Sequence, residues 1–133
     1  MKFSLYEEKV FNSSLKYGKL SISTDETAGF KPLELFISSM IGCSGTILVN
    51  ILKKKRIPFS DLHLSAEVER DEKAANRISK LFISAVVQSD ALLSSEQTDR
   101  LSELVIKNCG MLQTISESVD ICFLIKISPD KDT

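Results

Sequence analysis

Few side chains in this 133-residue chain are suited to covalent chemistry: Cys43, Cys109 and Cys122, with His63 as the single histidine. The thiol count is odd, the spacings are 66 and 13 residues, and no CxxC or zinc-ligand set can be drawn from them. Ser44 and Thr46 have no His or Asp in a triad arrangement, so serine-hydrolase chemistry is unsupported. Gly42-Cys43-Ser44-Gly45 interrupts an apolar helical pattern instead of preceding one, which excludes a phosphate-cradling loop. What remains is thiol chemistry, in which a thiolate attacks and is oxidised to a sulfenic acid or a disulfide. The competing reading is structural, because cysteine is among the most buried residue types and often serves as a small hydrophobe. Cys122, inside an apolar run, reads as strand filler.

The elements that must position these thiols follow from composition and periodicity. Apolar residues make up 43% and charged residues 26%, with a net charge of −1, which is ordinary globular usage and excludes a disordered or low-complexity chain. Near-neutral charge also lacks the electrostatic footprint of a nucleic-acid binder. The length predicts one domain over residues 1–133, able to bury about two-thirds of its unfolded surface without a disulfide or metal staple. Residues 1–10 alternate and carry charge, unlike a secretory signal, so reduced thiols in the cytoplasm are expected. Residues 35–52 are uncharged and lead into Lys53-Lys54-Lys55-Arg56, the length and flank of a membrane span. Ser38, Ser39, Ser44, Thr46 and Asn50 dilute that segment, and a buried core helix is the expectation.

Residues 2–10 and 15–23 alternate around Asn12-Ser13-Ser14, predicting a hairpin turning there. Residues 25–29 form a polar loop with room for a short strand edge. Pro32 and Glu34 suit a first helical turn, the basic run suits the other end, and Ile57-Pro58 stops a helix over residues 32–56. It carries two apolar rows, Phe36-Met40-Cys43-Ile47-Ile51 and Leu33-Ile37-Ile41-Ser44-Leu48, and a small stripe at Ser38, Gly42, Gly45 and Val49. That pattern predicts a helix wrapped nearly all round, with a second helix or partner subunit close to the small stripe. Residues 61–70 alternate as a half-buried strand with His63 on its solvated side, and residues 78–87 return beyond a polar turn at 71–76. Ser94 and Gln97 form a capping box before a helix with Leu101, Leu104, Val105 and Cys109 inward and Gly110 as its left-handed end. A short helical turn follows over 111–116. The apolar strand over 119–127 is expected to be central, completing an α+β domain.

Pro32-Leu33-Glu34-Leu35-Phe36, then Gly42-Cys43-Ser44-Gly45 and a closing basic run, resembles the central helix of the OsmC/Ohr family. Asn108-Cys109-Gly110-Met111 with Thr114-Ile115 and a final apolar strand resembles that family's second cysteine motif. The order of elements matches over nearly the whole chain. The resemblance implies an OsmC-like fold, with antiparallel sheets wrapped around a long central helix in an intertwined homodimer. It also implies thiol-dependent reduction of organic hydroperoxides, as part of oxidative stress defence. Cys43 would be the peroxidatic thiol and Cys109 the resolving thiol, with an external dithiol as reductant and no resident cofactor, metal, nucleic acid or membrane partner. Phe36, Met40, Ile47, Met111 and Leu112 would receive a bulky apolar peroxide.

Three departures mark a divergent branch of the family. Leu33 stands where peroxide-reducing members carry a Glu, with Glu34 one place on. No arginine precedes Arg56, and Gly110 replaces the usual Pro after the second cysteine. Glu34 and one of Lys16, Lys19 or Lys31 are then the candidates to tune Cys43. The alternative reading keeps the fold but not the turnover: a protein that holds a hydrophobic ligand, or senses redox state through the cysteine pair.

Overall fold

The computed structural model describes residues 1–130 and divides into two compact units, Met1–Ser39 and a second that begins at Met40. In the first, β1 (Ser4–Tyr6), β2 (Val10–Ser14) and β3 (Lys19–Ile22) form an antiparallel meander in that order. The expected turn at Asn12-Ser13-Ser14 is corrected, because these residues belong to β2. Their polar groups find partners inside the sheet: Ser13 Oγ donates to the Lys2 carbonyl, and Asn12 Oδ1 accepts from Ser21 Oγ. The chain reverses instead at Glu7 and Glu8, with φ of 50° and 60°, and again between Leu15 and Gly18. The polar loop at 25–29 does carry a strand edge, a single parallel bridge between Ile22 and Phe30. Gly29 is required beside it, since a Cβ there would sit 2.8 Å from the Ser21 carbonyl oxygen.

Helix α1 (Pro32–Lys54) leads from the first unit into the second, where β4 (Asp61–Asp71), β5 (Arg77–Gln88), α2 (Ser95–Asn108), α3 (Gly110–Ile115) and β6 (Asp120–Ser128) follow. The sheet order is β4-β5-β6, with β5 antiparallel to β4 and parallel to β6. A parallel pair needs a long crossover, and α2 with α3 supplies it. The last strand is therefore at the edge, and β5 is central, correcting the expectation drawn from the apolar run in β6. That run alternates in three dimensions: Phe123 and Ile125 are buried while Cys122 and Leu124 are exposed. On β5, by contrast, Leu81, Ile83, Ala85 and Val87 are all sealed.

Four residues of α1, Met40, Ser44, Leu48 and Leu52, are buried in this unit's core. They lie four apart and cut across the two rows expected from the sequence. Gly45 faces β4, where a Cβ would meet both Leu64 methyls at 3.7 Å. The other residues of α1 are half-buried or exposed within the single chain. By length and composition alone α1 could cross a membrane. Burying Leu48 and Leu52 in the core stabilises the unit by about 1.5–3 kcal/mol each.

Candidate functional site: a reduced thiol pair

Cys43 lies one residue before Ser44 on α1, beside the buried row, and keeps part of its surface open. Cys109 is placed by the junction of two helices. Ser94 caps α2 with its hydroxyl on the Gln97 N–H, while Gln97 Oε1 accepts from the Ser94 N–H, as the capping box predicts. Leu101 and Val105 then pin α2 to the core, and the helix ends at Asn108. Cys109, at φ −88° and ψ 107°, is at once the C-cap of α2 and the N-cap of α3. Gly110 is not the left-handed end expected of it: no glycine has positive φ among the described residues, and Gly110 opens α3 instead. The bend at extended Cys109 turns its buried sulfur back toward α1.

The two sulfurs are 3.1 Å apart, both reduced, with the Cys109 thiol donating to Cys43 Sγ. Their surroundings differ in electrostatics. The Met111 backbone N–H, then the Cys109 thiol, hold the Cys43 thiol below the ordinary value of 9.0 against the opposing effect of burial, with a lesser contribution from the Gly110 N–H. Burial pushes the Cys109 thiol up, and the neighbouring Cys43 sulfur adds to that rise. Cys43 is thus the sulfur that ionises first, and Cys109 the one that stays protonated and donates. A thiolate accepting a hydrogen bond from a second thiol in contact is competent for nucleophilic attack and for disulfide formation.

The other residues singled out in the sequence are distributed as follows. Glu34 is exposed in the first turn of α1, and no side-chain carboxylate or cation contributes to the shift of Cys43. Phe36 is half-buried, and Ile47 borders a cavity one turn beyond Cys43. Met111 keeps 39% of its surface, whereas Met40 and Leu112 lie in the core at 2% and 0%. Cys122 is exposed on β6, away from the expected role of buried filler. His63 is solvated as expected, its Nε2 3.0 Å from an Asp61 carboxylate oxygen. No cluster able to hold a metal exists among the described residues. Sequence reasoning missed the backbone donors at Gly110 and Met111, because an N–H leaves no mark in residue type. The signal available was the glycine itself, which keeps a donor that proline lacks.

A contacting pair of reduced cysteines, held between a long helix and the crossover of a mixed sheet, defines a two-thiol α+β protein. The chain belongs to the OsmC-like protein family, whose family model matches residues 23–123. Solved structures share the fold. A hypothetical protein from Aquifex aeolicus superposes with a TM-score of 0.83 at 22% identity, covering 98% of this chain and 96% of that one. The OsmC-like protein from Mycoplasma pneumoniae gives 0.77 at 15%, over 97% and 94%. The organic hydroperoxide resistance protein OhrB of Bacillus subtilis gives 0.64 at 17%, over 94% and 96%. No curated protein sequence matches the chain.

Proposed function

We propose that the protein is a thiol-dependent organic hydroperoxide reductase in which Cys43 attacks and Cys109 resolves. The 3.1 Å approach of two reduced, electrostatically unequal sulfurs carries this reading. The Cys43 thiolate attacks one peroxide oxygen, an S–O bond forms as the O–O bond breaks, and the alkoxide leaves as the alcohol after taking a proton. Cys109 then attacks the sulfenic sulfur, an S–S bond forms, and the hydroxyl departs as water. An external dithiol returns both sulfurs to the thiol state by exchange. The backbone donors of Met111 and Gly110 take the place of a cationic side chain at Cys43, and Glu34, exposed on the first turn of α1, has no part in lowering that thiol. Ile47 and Met111 keep apolar surface that favours an apolar peroxide, whereas Met40 and Leu112 are core residues out of its reach. The working form is a cytoplasmic homodimer.

The absence of any arginine before Arg56 favours a second reading, a ligand-holding or redox-sensing protein that forms the disulfide without repeated turnover. Steady-state consumption of cumene hydroperoxide with dithiothreitol separates the two. The reductase reading predicts many turnovers per chain, abolished in Cys43→Ser and reduced at least ~100-fold in Cys109→Ser, the scale of losing an essential nucleophilic partner. A single equivalent consumed per chain overturns it.

A further inference from the structure

The β1-β2-β3 sheet has a polar face that the thiol chemistry does not use. Its register sets Ser4, Asn12 and Ser21 in one row across the strands, and Ser14 beside Lys19 in the next row of the same parity. Leu5, Phe11 and Ile22 form a row of the other parity, so these apolar side chains go to the opposite face. Lys2, Ser4, Asn12, Ser14, Lys19 and Ser21 line one open cavity of about 720 Å³, within the size range of small-ligand sites.

The donors and acceptors of this cavity are unbalanced. No acidic side chain lines it, and among the described residues Lys2 and Lys19 form no ion pair. Elsewhere, Lys9, Lys31 and Lys80 each find a carboxylate. Ser21 Oγ donates to Asn12 Oδ1, which engages the amide oxygen and leaves the Asn12 N–H groups as free donors. Ser13 Oγ, itself buried, donates to the Lys2 carbonyl and so fixes the backbone that carries the Lys2 ammonium. Two ammonium groups, an amide and several hydroxyls without a carboxylate complement an oxyanion that also carries hydroxyls. The chain's net charge of −1 exerts no general pull on anions, so any preference for one must come from this face. The two rows lie two residues apart along the strands, about 7 Å, which is comparable to the length of a hexose.

We propose that this face binds a sugar phosphate, with the phosphate at Lys2, Ser14 and Lys19 and the sugar hydroxyls at Ser4, Asn12 and Ser21. The proposal does not rest on the reductase reading. Its test is calorimetric titration of the reduced protein with glucose 6-phosphate, glucose and inorganic phosphate. Glucose 6-phosphate is expected to bind about tenfold more tightly than either of the others, since only it engages both rows. Lys2 and Lys19 are exposed, so their substitution leaves the fold intact, and Lys2→Gln or Lys19→Gln should each weaken binding about three- to fivefold, on the scale of one exposed ion pair. Asn12→Asp keeps the acceptor for Ser21 but sets a negative charge in the cavity, and should weaken binding roughly tenfold or more. Lys16→Gln removes the same charge outside the cavity and should leave the affinity within about twofold, as a screened surface charge. No binding of glucose 6-phosphate, equal affinity for inorganic phosphate, or an equal loss in Lys16→Gln overturns the site. Binding to phosphatidylglycerol vesicles without binding to glucose 6-phosphate overturns it as well.

Discussion

The two sheets of this chain solve the burial problem to different degrees. The β4-β5-β6 sheet has strands of eleven, twelve and nine residues, and Leu81, Ile83, Ala85, Val87, Phe123 and Ile125 are buried on one face. The β1-β2-β3 sheet has strands of three, five and four residues. Its unit leaves Phe3, Leu5, Tyr6, Phe11 and Phe30 exposed, and Val10 is its one buried large hydrophobe. The longer sheet has a core of its own, and the thiol pair is placed there, where packing fixes both sulfurs. The shorter sheet has no comparable core and keeps much of its apolar surface exposed.

That contrast can be broken by substitution. Leu48→Ala, in the sealed core, is expected to lower unfolding stability by about 2–5 kcal/mol in urea titration. Phe11→Ala, in the shorter sheet, is expected to cost the isolated chain under about 1 kcal/mol, since the ring is already exposed. Sedimentation should show it weakening association instead, and a loss as large as that of Leu48→Ala would erase the distinction between the sheets.

The electrostatic asymmetry of the pair gives a pH prediction. Alkylation of Cys43 by iodoacetamide follows its thiolate, so the rate rises with pH through a midpoint below 9.0. Cys109→Ala deletes the second-largest cause of the lowering and moves the midpoint up, while the Met111 N–H keeps part of the effect. An unchanged midpoint would mean that the second thiol does not stabilise the first. The smallest expected effect is at Ser44, whose buried hydroxyl has no hydrogen-bond partner. Ser44→Ala should raise stability by about 0.5–1 kcal/mol, by better helix propensity and removal of an unsatisfied group.

Much of this was legible in the sequence, for identifiable reasons. The capping box at Ser94 and Gln97 involves local bonds only, so its spacing determines its geometry. The alternation over 61–70 survives as β4 because one face is half-buried and the other solvated. Long-range placement was less legible. The uninterrupted apolar run of β6 does not distinguish a central strand from an edge strand with exposed Cys122 and Leu124. The serine and asparagine side chains of β2 carry turn chemistry by type, yet their partners lie in neighbouring segments. At the site, the two cysteine motifs were visible as residues, whereas the backbone donors depend on how the junction of α2 and α3 faces a helix far away in sequence.

The central claim is that Cys43 and Cys109 form one redox unit. Its most direct test exposes the reduced protein to one equivalent of cumene hydroperoxide and maps the thiols by mass spectrometry, in wild type and in Cys43→Ser. The account predicts rapid formation of a Cys43–Cys109 disulfide with Cys122 left reduced, and no such disulfide in the variant. Intact thiols at Cys43 and Cys109, or oxidation confined to exposed Cys122, would contradict it.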